Sequence, residues 1–375
     1  LLAAMLVLPI LAASHVRAGR QAAGPSDRQG QDPRPRTQVL LDQGKSDWFA
    51  MRTRTAEQGL IAATKVPATA AEAHYWLGRI YDFKGNKAEG AFPGFHEEVS
   101  YRPRAEAEFK AAGTPRPEWI LEADGFANSL KQADAAIAKL QADAASSPAA
   151  IRSAIEYRIK LRPDPMSYSA GANLLLARNA DLPFVLQLAA EGKTAGERFI
   201  RENESSYKLD GKVLASLDRN AATFADIAGW ALFLQGDLDG AEARLAEAAR
   251  LFRNNDINNQ LHLAELSARK GDEDTAQAHY LNVIELASVE TAQQRGKAVS
   301  ALFTLRAKTG ESFDESRRWL TGTLERKREE RREALLGDMQ GRRVPALVLK
   351  DLQGKNVDLR AERGNVVLLN FFSAW

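Results

Sequence analysis

The sequence predicts a mostly α-helical protein: a stacked array of helical hairpins over most of its length, then a short β segment. Three observations carry that expectation. From about Val39 to Gly337, Ala, Leu, Glu, Arg and Gln dominate, and apolar residues return every three or four positions, the period of a helix with one buried face. Gly-Asp turns recur at Gly236-Asp237 and Gly271-Asp272. After Gly341 the apolar period falls to two, which is the period of a strand.

Composition limits the functional classes. The chain has 375 residues, of which 45% are hydrophobic and 27% charged, as in an ordinary folded protein. Its 51 basic and 49 acidic residues leave a net charge of +2, without the clustered basic excess of a nucleic-acid footprint. No nucleic-acid partner is expected. There is no cysteine, so the sequence as it stands can form no disulfide, thiolate metal site or thiol nucleophile.

At the N-terminus, "LLAAMLVLPILAAS" is nearly all apolar from Leu1 to Ala13. A helix needs about 20 such residues to cross a bilayer, so no stable membrane span is expected. The run has the length of a secretory h-region, and Val16-Arg17-Ala18 supplies a small-x-small cleavage site. Residues 1–18 are therefore expected to be a signal peptide that lacks its basic start. The protein is expected to be exported, periplasmic or extracellular, and membrane-tethered if the signal stays uncleaved. Residues 19–38 are rich in Gly, Pro, Gln and Arg without hydrophobic period, the composition of a flexible linker.

Residues 39–337 are expected to be one helical domain. "AAIAKLQADAA" (Ala135–Ala145) and "AAIRSAIEYRIKL" (Ala149–Leu161) show the helical period, and Pro163 and Pro165 end the second. Asp181, before Leu182 and Pro183, is the expected N-cap of the next helix. Gly90–Arg104, rich in Gly, Pro and aromatics, is expected to be an irregular insertion. "LERKREERREALLGD" (Leu324–Asp338) interleaves both charge signs and is expected to be a solvated connecting helix closed by Gly337 and Gly341.

Internal repetition is the informative feature of this region. The stretch from Gly229 and the stretch from Ala264 align, with the turn glycines Gly236 and Gly271 35 residues apart and Ala241 and Ala276 five residues beyond them. Gly229 or Ala264 on a first helix and Ala241 or Ala276 on a second would let two helices approach closely. Gly236 and Gly271 would end the first helix in a left-handed conformation. An earlier unit around "HYWLGRIYDFKGN" has Leu77, Gly78, Tyr81 and Gly85, and a later one turns at Gly310. The pattern resembles the tetratricopeptide repeat, whose period is about 34 residues. The resemblance implies an α-solenoid whose groove binds a protein or peptide partner. A generic helix-hairpin array is the alternative.

Residues 344–375 open a second domain. Leu347 and Leu349 alternate with Val357 and Leu359 across Asp351–Lys355, a β-hairpin pattern, and "VVLLNFF" is an apolar run of strand length. Leu349, Asp351, Leu352, Gly354, Lys355, Val357 and Leu359, then Arg363, Gly364, Val366–Phe371 and Trp375, resemble the opening of a thioredoxin-like domain of the TlpA/ResA type, related to the alkyl hydroperoxide reductase/thiol-specific antioxidant group. Asn365, Phe372 and Ser373-Ala374 depart mildly from it. The resemblance implies a C-x-x-C directly after Trp375, flanked by Asn370, Phe371, Phe372 and Trp375, with a protein thiol or disulfide as substrate. That pair is absent, so the sequence is expected to be a redox-inert fragment of an exported thiol–disulfide oxidoreductase. The alternatives are a repeat-based scaffold with a redox-inactive thioredoxin-like domain, or a thiol peroxidase.

No other chemistry emerges. None of the five His falls in HExxH, since "HEEVS" at His96 ends in Ser100. Gly192-Lys193-Thr194 and Gly44-Lys45-Ser46 lack the upstream Gly of a phosphate loop, with Gln187 and Val39 in its place. No G-x-S-x-G occurs. Trp119, Trp230 and Trp319 are read as helix-packing aromatics. No catalytic residue, cofactor or metal is expected in this sequence.

Overall fold

A computed structural model describes residues 35–85, 101–203, 210–339, 348–350 and 355–362. Among them are fourteen α-helices and one two-stranded antiparallel sheet. The chain divides into two compact units, with the division inside one helix between Asp124 and Gly125.

The first unit contains α1 (Arg36–Phe49), α2 (Thr53–Thr64), α3 (Pro67–Gly85), α4 (Tyr101–Ala112) and the start of α5 (Pro117–Ala142). Tyr101–Arg104, expected in an irregular insertion, instead open α4; residues 90–100 of that stretch lie outside the described residues. The core is apolar and aromatic, with Leu41, Leu60, Trp76 and Ile80 at most 1% exposed. Helices α1 and α2 meet at Gly44, where an added Cβ would stand 2.8 Å from Leu60 Cγ. Two charged side chains, Asp47 and Lys84, are buried there. Lys84 gives its ammonium to Glu57 at 2.8 Å, and Tyr81 donates its hydroxyl to the same carboxylate at 2.8 Å, so the cation is paired and hydrogen-bonded.

The second unit continues α5 and adds α6 (Pro148–Leu161), α7 (Pro165–Leu176), α8 (Leu182–Glu202), α9 (Asp210–Gln235), α10 (Leu238–Phe252), α11 (Ile257–Lys270), α12 (Glu273–Leu286), α13 (Ala292–Lys308) and α14 (Phe313–Met339). Each helix from α6 to α10 packs on the next, as does each from α10 to α14. Helix α9 also touches α7 and α11, and α11 touches α13, so the odd-numbered helices form a row.

Local chemistry explains most boundaries. Ser147 caps α6 through Ala150 N and Asp164 caps α7 through Ser167 N, each with Pro next in sequence. Asp181 departs from expectation. Helix α8 does start at Leu182, but Asp181 sits at φ 44° and its side chain caps nothing. Its carboxylate faces Arg152 at 3.4 Å instead. Helix α14 runs through Gly337 to Met339, so Gly337 does not close it. Its charged half pairs within itself, Arg332 to Glu329 at 3.0 Å, and also with α12, where Lys327 lies 3.1 Å from Glu285.

The sheet consists of β1 (Val348–Lys350) and β2 (Asn356–Asp358), with Leu349 opposite Val357. The side chains of Val348, Leu349 and Val357 are exposed. A single-turn 3-10 helix follows at Leu359–Glu362.

Candidate functional site

The residues expected to flank a redox motif, Asn370, Phe371, Phe372 and Trp375, lie outside the described residues. So do the expected signal peptide and residues 351–354 of the expected turn Asp351–Lys355.

The expected packing residues are all described. In the first unit Gly78 on α3 admits the Phe109 ring of α4, which an added Cβ would meet at 2.6 Å. In the second unit Gly229 on α9 faces Leu245 on α10, with 2.7 Å between a hypothetical Cβ and Leu245 Cγ. Ala241, Ala264 and Ala276 are fully buried. Gly236 and Gly271 lie beyond the ends of α9 and α11 with φ of 88° and 82°.

Those two joints share one geometry. At the first, Gly236 N bonds Phe233 O and Asp237 N bonds Leu232 O; at the second, Gly271 N bonds Ala268 O and Asp272 N bonds Ser267 O. Both sets satisfy the last carbonyls of a helix. The aspartate then turns its carboxylate to the next helix: Asp237 accepts from Gly240 N and Asp272 from Thr275 N. The Gly-Asp pair thus ends one helix and starts the following one.

Three consecutive helices, α9, α10 and α11, meet at a polar node that sequence reading did not find. Asp226 on α9 is 8% exposed. His262 on α11 places Nδ1 3.1 Å from each of its carboxylate oxygens. Asn259, one turn earlier on α11 and fully buried, donates Nδ2 to Asp226 at 2.9 Å and to Leu245 O of α10 at 3.1 Å. A carboxylate oxygen accepts, so His262 Nδ1 is the donor in this contact. Trp230 stacks on His262 with centroids 4.3 Å apart, and on Phe233 at 4.6 Å. Trp230 therefore packs helices, as its sequence context suggests, and also holds the imidazole plane.

The node borders a cavity of about 370 Å³, lined by Asn173 of α7 and its C-cap Ala177, Thr223, Asp226 and Trp230 of α9, and Asp256, Asn258 and His262 of α11 and its cap. Asp256 is the N-cap of α11 and accepts from Asn259 N at 2.9 Å. Burial pushes its carboxyl above the usual range, and the nearby Asp226 charge adds to the shift. No described Lys or Arg lines this cavity or pairs with Asp226 or Asp256. A second cavity, of about 680 Å³, is walled by Ile137 and Gln141 of α5 and by Leu174 and Arg178 around α7. Asn173 and Ala177 line both, so the two cavities adjoin across α7 and together make a groove over α5, α7, α9 and α11.

One signal could have exposed the node. Asp226 and His262 are 36 residues apart, one more than the Gly236–Gly271 spacing, so both fall on corresponding turns of successive first helices. Among the described residues no group of three or more His, Asp or Glu could hold a metal ion, and no helix is long and apolar enough to cross a membrane. Neither the protein-family models nor the curated proteins compared with this chain give a match.

Proposed function

We propose that this chain is part of an exported thiol–disulfide oxidoreductase of the TlpA/ResA type. In it, a tetratricopeptide-like solenoid, residues 39–337, binds a partner protein or positions a thioredoxin-like domain that opens at residue 344. The observation that carries the redox part is the density of the matching motif, including the Leu349–Val357 pair, which faces across the antiparallel register. Exposed Leu349 and Val357 offer the apolar face that further strands of such a domain would cover. The repeated Gly-Asp joints, 35 residues apart and alike in hydrogen bonding, support the solenoid. The chemistry would belong to a Cys at a helix N-terminus, where exposed N–H groups favour the thiolate, and to a second Cys that resolves the mixed disulfide.

The groove along α5, α7, α9 and α11 favours a second reading, a partner-binding scaffold whose thioredoxin-like domain is redox-inactive. One experiment separates the two. The protein as its native cell makes it is reduced and alkylated, and the tryptic peptide beginning at Gly364 is read by mass spectrometry. Two alkylated cysteines, the first directly after Trp375, together with insulin reduction by the same protein, establish the reductase. A lone cysteine and peroxide turnover make it a thiol peroxidase. No cysteine there overturns the redox reading and leaves the scaffold. Fractionation of the same cells tests export, which is rejected if the protein stays with cytosolic markers.

A further inference from the structure

We infer that the groove of the second unit takes an extended polypeptide segment carrying a basic side chain, with a Lys or Arg of that segment seated between Asp226 and Asp256. This rests on the reading of the helical region as a partner-binding scaffold and adds the chemistry of the partner.

Four features of the groove point the same way. Its two cavities join at Asn173 and Ala177 and cross four helices, a length suited to an extended chain. Amide side chains recur along it, Gln141, Asn173 and Asn258, and each offers both a donor and an acceptor to a peptide main chain. The cavity beside α11 is lined by two carboxylates and no described Lys or Arg, and its one imidazole has Nδ1 on Asp226, which leaves Asp256 without a side-chain partner among the described residues. Asp256 is partly buried and its carboxylate is met by the backbone N–H groups of its own cap, with no cationic side chain paired to it. An ammonium or guanidinium entering there would find a negative charge already stripped of part of its water, where an ion pair is stronger than at the surface. Thr223 and the Trp230–His262 stack, whose ring planes are 12° apart, make the rest of the seat rigid.

A clean test is available because Asn caps a helix about as well as Asp. Asp256→Asn removes the charge and keeps the acceptor for Asn259 N. Asp237→Asn does the same at the cap of α10, away from the groove. The full chain is titrated, by fluorescence anisotropy, with fluorescein-labelled peptides of one length built from Gly and Ser and carrying two Lys, two Glu or no charge. The Lys peptide is expected to bind best and to weaken with added salt. Asp256→Asn should weaken it at least about tenfold, the loss of one partly desolvated charge pair, while Asp237→Asn leaves it unchanged. Circular dichroism and thermal melting confirm that both variants fold.

Equal weakening by both variants would mean diffuse electrostatic attraction and overturn the proposal. Preferential binding of the neutral or acidic peptide, abolished by filling the groove with Asn173→Trp, overturns the basic-ligand assignment and keeps the scaffold. Binding of none of the three overturns both.

Discussion

His262 Nδ1 stands 3.1 Å from both carboxylate oxygens of Asp226, and this contact ties α11 to α9 across 36 residues of chain. Asn259 extends the tie to α10 through Leu245 O. Three consecutive helices therefore share one polar node. Both His262 and Asn259 donate to the same carboxylate, so that carboxylate should matter more than its size suggests.

Asp226→Ala should destabilise the second unit by about 2–3 kcal/mol, because it strands the His262 and Asn259 donors in a buried site. Asp226→Asn should cost less, since one oxygen remains as acceptor and the neutral imidazole can change tautomer to accept from the new amide. Urea unfolding of the three proteins checks the order. A double-mutant cycle with His262→Ala should return a coupling of about 1–3 kcal/mol. Additive single effects would show that the contact contributes nothing to folding.

The two glycines Gly229 and Gly236 should fail for different reasons. Gly229→Ala places a methyl 2.7 Å from Leu245 Cγ, between helices that cannot separate without opening the core, and should cost about 1–3 kcal/mol. Gly236→Ala meets nothing within 4 Å but must hold φ near 88°. That should cost about 1 kcal/mol. Asn tolerates the left-handed region better, so Gly236→Asn should recover part of the loss, while Gly229→Asn should recover none. Thermal melts of the four variants separate clash from backbone strain; equal rescue at both positions would remove the distinction.

These examples also show what could be read from the sequence and what could not. The Gly-Asp joints were legible because their physics is local: a glycine that ends a helix and an aspartate that caps the next lie side by side in the chain. The strand pair was legible because Leu347 and Leu349, then Val357 and Leu359, recur at every second position on either side of a turn. Asp181 misled because its type suits a cap, whereas its left-handed backbone and Arg152, 29 residues away in sequence, redirect the carboxylate. The Asp226–His262 node was invisible to motif reading, since neither residue sits in a known pattern. It appears only when two first helices are set in register, and the cavity beside it needs a third.

Asp256 should make the protein less stable as pH rises through the acid range. Its carboxyl is pushed above the ordinary value of 3.8, chiefly by burial. The folded state therefore binds its proton more tightly than the unfolded chain does. The resulting stabilisation is fully present below pH 3.8 and is lost as pH rises through the folded-state value. Glu265, also raised by burial from 4.5, acts in the same direction. Asp272 and Glu315, held below their usual values by hydrogen bonds with Thr275 and Ser312, act in the opposite one, so the total profile is a poor readout. The difference between wild type and Asp256→Asn isolates the group. Denaturant unfolding from pH 3 to 7 should show the variant gaining on the wild type as pH rises, with most of the change above pH 3.8. A residue kept only for structure would not be expected to destabilise the fold it caps at neutral pH. If Asp256→Asn is more stable at pH 7 and also binds the Lys peptide more weakly, the carboxylate trades stability for ligand binding, as sites often do. If its stability tracks the wild type at every pH, the carboxyl is solvated, and the case for a desolvated cation seat falls with it.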